Sequence, residues 1–187
     1  MLKAIAEHGL ANCTMSDVAE AAGVSRGILH YYFKDKDEMI SALVSFIRDG
    51  RFVDFKSSMA DIADPWERLR ASLHYPLEAF DLSQNSPLSK SLARAWIEFW
   101  SLASFHKGVH DLVLDLQRNI REHYIQILEQ GVAQGVFRKD LKPPVIATAI
   151  LASFEGLMLQ WYLDPAAVDF AAQIEILEKA VGAYLRP

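Results

Sequence analysis

The sequence predicts an all-α protein of about nine helices, with a small N-terminal three-helix unit followed by a larger helical bundle. Two observations predict it. Apolar residues recur three or four positions apart in nearly every segment between turn signals. No stretch alternates polar and apolar residues as a half-buried strand would, and no repeat or low-complexity tract intervenes. With 187 residues, 51% of them hydrophobic, the chain is long enough for one or two small domains with a real core.

Met1 to Gly9 reads as the end of a helix, with Leu2, Ile5 and Ala6 at helical spacing and Gly9 as its stop. It is short for a bracing helix, so its first turns are expected to precede Met1. Thr14 caps the next helix with Asp17 as capping-box partner, and Val18, Ala21 and Ala22 form a small apolar face. Gly23 supplies the left-handed residue at the helix end, Val24 is expected to plug the core, and Ser25 caps a short helix from Arg26 to Tyr32. Ile28, Leu29 and Phe33 are expected to face inward. Arg26, Gly27, His30, Tyr31 and Tyr32 are left outside. Such a helix suits DNA reading, yet spacing alone leaves an ordinary helical hairpin equally open.

Asp35 and Glu38 cap a long helix whose stripe runs through Met39, Ile40, Leu43, Phe46, Ile47, Phe52 and Phe55 toward Met59 and Ile62. This is a strut from the first unit into the second. Asp64 and Pro65 open another helix, with Trp66, Leu69, Leu73 and Leu77 inward and a kink or break expected at Pro76. A loop from Asp81 to Pro87 precedes a helix from Leu88 to Phe105, which His106 to Gly108 interrupts. Val109 to Gly131 carries the cleanest amphipathic period in the chain. Val145 to Leu163 is apolar around most of its circumference and is expected to be buried on more than one side. The last helix spans roughly Asp169 to Leu185.

The most apolar stretch is broken by Thr148, Ser153, Glu155 and Gln160, so no run reaches the roughly 18 residues of a membrane span. The N-terminus lacks the basic-then-apolar order of a secretory signal. A single cysteine, Cys13, allows no internal disulfide, and a reducing cytoplasm is the simplest location. The net charge of −5 argues against broad coating of nucleic acid, but Arg26, Lys34 and Lys36 against Asp35 leave one local basic face. Enzyme chemistry finds little support. His106, His110 and Asp111 are too few for a metal site, Cys13 has no evident base, and no Gly-rich phosphate loop or nucleophile elbow is present. No cofactor is expected.

The run Thr14-Met-Ser-Asp-Val18-Ala19, Ala22-Gly23-Val24-Ser25, Gly27, Leu29, Tyr31-Tyr32-Phe33, Lys36 and Met39-Ile40 resembles the N-terminal signature of the TetR family of transcriptional regulators. The segment Leu92-Ala-Arg-Ala-Trp96-Ile-Glu-Phe99-Trp100 is similar to that of the family branch repressing the choline-to-betaine pathway. The resemblance implies a repressor that binds a palindromic double-stranded operator as a homodimer and is released by a small molecule. The alternative is a helical scaffold without DNA binding. Residues 1–35 would form the DNA-binding unit, a helix over about 36–62 the link, and residues 63–187 the ligand-binding and dimerisation part. Two departures stand out: His30 replaces the family's usual Tyr, and the basic arm that usually precedes the first helix is not seen.

By chemistry, Arg26 and His30 are placed to reach base edges, and Gly27 to let the backbone approach closely. Tyr31, Tyr32, Lys36 and Thr14, together with Ser25 at the helix start, are placed for phosphate. The candidate effector residues are Trp96, Phe99, Trp100, Phe105, Tyr124, Phe154, Glu155, Trp161 and Tyr162. Aromatic rings around a carboxylate suit a cationic or aromatic effector. Plain core packing is the competing role of each ring, and Glu155 could instead pair with Arg94 or Arg121. Homodimerisation is expected through about residues 145–185.

Overall fold

The computed structural model describes residues 1, 4, 5, 8, 9, 12–79, 82 and 86–186, with side chains described at all of these except 44, 46–54, 56 and 88. The described residues are all-α, in eight helices: α1 (Met15–Ala22), α2 (Arg26–Tyr32), α3 (Lys36–Ser58), α4 (Pro65–Ala79), α5 (Pro87–Ala103), α6 (Lys107–Ala133), α7 (Pro143–Leu163) and α8 (Phe170–Leu185). Before them, Ala4, Ile5 and His8 are helical, and the Gly9 amide donates to the Ile5 carbonyl at 2.8 Å. The expected inward roles of Leu2, Ala6, Phe46, Ile47 and Phe52, and most of the loop after Asp81, lie outside the described residues.

The longest helix, α6, is central and packs against α3, α4, α5 and α7. Three clusters of buried side chains result. The first joins Ile5, Val18, Ala19, Leu29, Met39 and Ile40 to Ala95 and Phe99 of α5 and Val109 and Val113 of α6. The N-terminal helices therefore share a core with the bundle. The second packs α4, α6, α7 and the end of α8 around Leu69, Leu128 and Leu185. The third packs Met158 and Trp161 of α7 against Phe170 and Ile174 of α8.

Pro76 does not break α4. Proline lacks the N–H that would bond the carbonyl four residues earlier, which frees the carbonyl of Ser72. The buried Tyr124 hydroxyl donates to that oxygen at 3.2 Å, so the helix continues with its orphan acceptor satisfied. The expectation for α7 needs correction. Ile146, Ala147, Ile150, Leu151, Met158 and Trp161 are buried, but Val145, Leu159 and Leu163 are exposed, so one face of this apolar helix has no cover among the described residues. By length and composition alone α7 could cross a membrane; here it packs on α5, α6 and α8.

Candidate functional site

The helical pair α1–α2 is built by its caps. Thr14 is extended, its Oγ1 accepts the Asp17 amide at 3.3 Å, and its own amide donates to Asp17 Oδ2 at 2.7 Å. The Thr14 amide most strongly, and then the Thr14 hydroxyl, which donates to the same Oδ2 at 2.8 Å, hold the Asp17 carboxyl below its ordinary range. Gly23 ends α1 with φ 67°, a left-handed conformation in which a side chain would be strained. The Ser25 hydroxyl accepts the Ile28 amide at 3.3 Å and starts α2.

Only Leu29 of α2 is buried. Phe33 packs against the first core as expected, but Ile28 is 51% exposed and Val24 is also exposed, contrary to their expected inward roles. A seven-residue helix anchored by one leucine leaves its other faces free. Arg26, Gly27, His30, Tyr31 and Tyr32 all lie on that open surface. Arg26 and His30 are one turn apart, with Nε to Nε2 at 3.4 Å. Tyr31 is 84% exposed, and its ring meets that of Tyr32 edge-on at 5.2 Å. A Cβ added to Gly27 would meet only Ser25 Oγ, at 3.9 Å, so nothing inside the fold requires glycine there. Lys36 is half-buried at the first position of α3, beyond the Asp35 cap that accepts the Glu38 amide at 2.9 Å.

A cavity of about 110 Å³ lies in the bundle, with walls from α3, α4, α5, α6 and α7. Four of the candidate effector residues, Trp96, Tyr124, Phe154 and Glu155, line it. Phe55, Tyr75, Pro76 and Gln117 line it too, and the sequence reading did not place them there. A signal existed for Gln117, a polar residue inside the apolar stripe of Leu116, Ile120 and Tyr124. Phe55 and Tyr75 gave none, because their ring-to-ring contact at 4.8 Å depends on how α3 crosses α4. Burial pushes the Tyr124 phenol upward, so it stays a neutral donor. The indole Nε1 of Trp96 is buried without a hydrogen-bond partner among the described residues.

Five expected effector residues lie elsewhere. Phe99 is 3% exposed in the first core, because its position on α5 faces the N-terminal helices. Phe105 follows the end of α5 and is 87% exposed. Trp100 is partly exposed and lines an outer groove. Trp161 and Tyr162 sit about two turns beyond Phe154 along α7, where the helix packs on α8 instead of the cavity.

Glu155 is half-buried, and its Oε1 accepts a bond from Gln117 Nε2 at 2.7 Å. Burial raises its carboxyl above the ordinary glutamate range, against the opposing effects of the Gln117 bond and the Arg121 charge. Arg94 pairs with Glu98 at 2.8 Å instead. The two histidines do not converge: His106 meets Asp37 at 3.2 Å, while His110 Nδ1 lies 3.4 Å from Asp111, which also takes Lys107 at 2.6 Å. No group of three or more potential metal ligands occurs among the described residues. Cys13 is buried, and desolvation pushes its thiol up, away from nucleophilic chemistry.

Residues 65–186 match the family described as BetI-type transcriptional repressor, C-terminal, and residues 2–43 match the bacterial regulatory proteins of the tetR family. The chain is 26% identical over 185 residues to the HTH-type transcriptional regulator BetI of Rhizobium meliloti (strain 1021), covering 99% of this chain and 85% of that protein. Its fold is similar to a transcriptional regulator from Saccharomonospora viridis solved in complex with choline, with TM-score 0.84, 22% identity, and coverage of 100% of this chain and 93% of that one. It is also similar to FadR of Bacillus subtilis solved with stearoyl-CoA, with TM-score 0.80, 17% identity, and coverage of 99% and 95%.

Proposed function

Because the chain belongs to the TetR family of transcriptional regulators, with a BetI-type C-terminal domain, we propose that it is a repressor whose operator binding is released by a small cationic effector. It is a DNA-binding regulator and not an enzyme. In this reading, residues 1–35 read the operator, α3 transmits, and residues 63–187 bind effector and pair with a second copy. The exposed face of α2 supports the reading role, with Arg26 and His30 toward bases, Gly27 at close backbone approach, and Thr14, Ser25, Tyr31, Tyr32 and Lys36 toward phosphates. Exposed Val145, Leu159 and Leu163 on α7, with Ile176 and Tyr184 on α8, support a homodimer through that surface. Two reading heads would then engage a palindromic operator at a spacing of roughly 34–36 Å. A cytoplasmic location follows from this role.

The cavity carries the effector assignment. Its wall sets Phe55, Tyr75, Trp96, Tyr124 and Phe154 around one desolvated carboxylate, Glu155. Aromatic faces attract cations, and a bound cation would offset the unfavourable burial of Glu155. A volume of about 110 Å³ suits a compact ammonium compound and is well below the pockets of about 300–1,000 Å³ that hold drug-sized ligands. An effector can shift the protein only by preferring one conformation, and Phe55 places α3 in direct contact with it. A thermal-shift panel of choline and other small amines, carboxylic acids and neutral lipophiles tests the class. Stabilisation by choline-sized cations is expected; stabilisation by carboxylic acids alone would sink the cationic reading.

A further inference from the structure

A second concavity, an outer groove of about 380 Å³, runs over α5, α6 and α7 past Trp100, His110, Arg121 and Thr148. It is separated from the inner cavity by very little. Gln117, Leu151 and Glu155 line both spaces, so these three side chains are the partition between them. Gln117 is 5% exposed, and its bond to Glu155 spans from α6 to α7. The partition thus consists of side chains, two of them long and rotatable and joined by one hydrogen bond. Backbone motion is not needed to part them, since rotamer changes suffice.

We propose that the outer groove is the entrance to the effector cavity and that the Gln117–Glu155 bond is its gate. This rests on reading the cavity as the effector site. The open position of Glu155 has a partner waiting. Arg121 lines the groove one turn from Gln117, already acts on the Glu155 charge, and its Nε is buried without a hydrogen-bond partner among the described residues. When Gln117 lets go, Glu155 turns from the cavity side toward Arg121 on the groove side, and the passage opens between α6 and α7. While the gate is closed, Glu155 is bonded to a neutral amide and holds its charge at the partition, where it draws cations and opposes anions; Arg121 takes up that charge only as the gate opens. The gate therefore selects by charge at the approach, before the aromatic wall selects by shape.

The test introduces a thiol on the inner wall by Ile150→Cys, a position that lines the cavity but not the groove, in a Cys13→Ser background. Its modification by trimethylammonium-ethyl and sulfonato-ethyl methanethiosulfonate is followed by intact mass, each rate normalised to that with a free thiol. Adding Gln117→Ala is expected to raise the cationic reagent's rate at least tenfold. With Gln117 present, the cationic reagent should lead the anionic one by about the same factor, and Glu155→Gln should erase that lead. Gln117→Met, which keeps the bulk and loses the bond, replaces the alanine variant if that variant unfolds, with the same expected direction. A rate unmoved by loss of the Gln117 bond, or an introduced thiol that reacts in neither background, overturns the gate. A faster rate without cation preference upholds the passage and rejects the cationic effector alone.

Discussion

Gly27 separates stability from function at a single position. Its added Cβ meets only Ser25 Oγ at an ordinary contact distance, and glycine inside a helix costs about 0.5–1 kcal/mol relative to alanine. Gly27→Ala should therefore leave the melting temperature unchanged or slightly raised, while operator affinity falls because the methyl group meets DNA. Its neighbours divide the labour: Arg26→Ala should cost about 1–3 kcal/mol and relax sequence preference, whereas Lys36→Ala should weaken binding to all sequences alike. Gel shifts on operator and scrambled duplexes distinguish the two. Glu155 makes the residue-scale prediction for the effector. Its carboxyl is raised by burial, so the folded chain keeps a proton that the unfolded chain has lost. The stability from this group is full below the ordinary glutamate value of about 4.3 and is lost as pH rises through the raised one. Choline affinity should climb over the same window as the carboxylate forms. Glu155→Gln should raise the melting temperature at neutral pH, by a margin that shrinks on acidification. It should also weaken choline binding about tenfold, or ~1.4 kcal/mol. Glu155 was legible in the sequence as a carboxylate inside an apolar helix. Phe99 lies away from the cavity because aromatic type does not reveal which way a helix face turns, and Phe105 because its helix ends at Ala103.

At the scale of elements, α3 is the proposed transmitting part. It begins with Lys36 at the reading head and carries Phe55 on the cavity wall, where the ring lies 4.5 Å from that of the buried His123. Helices α5 and α6 also face both ways. Trp96 and Leu116 line the cavity, while Ala95, Phe99, Val109 and Val113 enter the core of the N-terminal helices. His106 ties the two parts again: its Nδ1 accepts the Val109 amide at 3.2 Å and its Nε2 meets Asp37. Phe55→Ala should weaken choline binding in calorimetry and, even at saturating choline, lose most of the choline effect on DNA affinity; an undiminished effect at saturation would make Phe55 a mere wall. The order and spans of the helices were readable because period, caps and prolines are local. The shared core was not readable, since it depends on how α5 and α6 cross the first helices. Pro76 shows the same limit: its helix-breaking chemistry is local, but the Tyr124 hydroxyl that meets the freed carbonyl comes from 52 residues away.

For the whole molecule, the uncovered face of α7 and α8 is the feature that one chain cannot account for. Its exposed leucine, isoleucine and valine side chains should be covered by a second copy. Ile176→Lys together with Leu163→Lys should turn a sedimenting dimer into a monomer and abolish binding to a two-half-site operator while leaving the helical content intact. The groove rim shares Thr148 and Ala152 with the outer side of α7, so the proposed entrance lies beside the proposed dimer face. The central claim is that a small cation inside the bundle releases DNA through α3. The most direct measurement is fluorescence anisotropy of an operator duplex, selected from random DNA with this protein, as choline is titrated in. Release of the duplex at choline concentrations that calorimetry shows to be bound, with the response lost in Glu155→Gln, is the predicted result. An operator affinity that stays constant when calorimetry shows the cavity saturated with choline would contradict it.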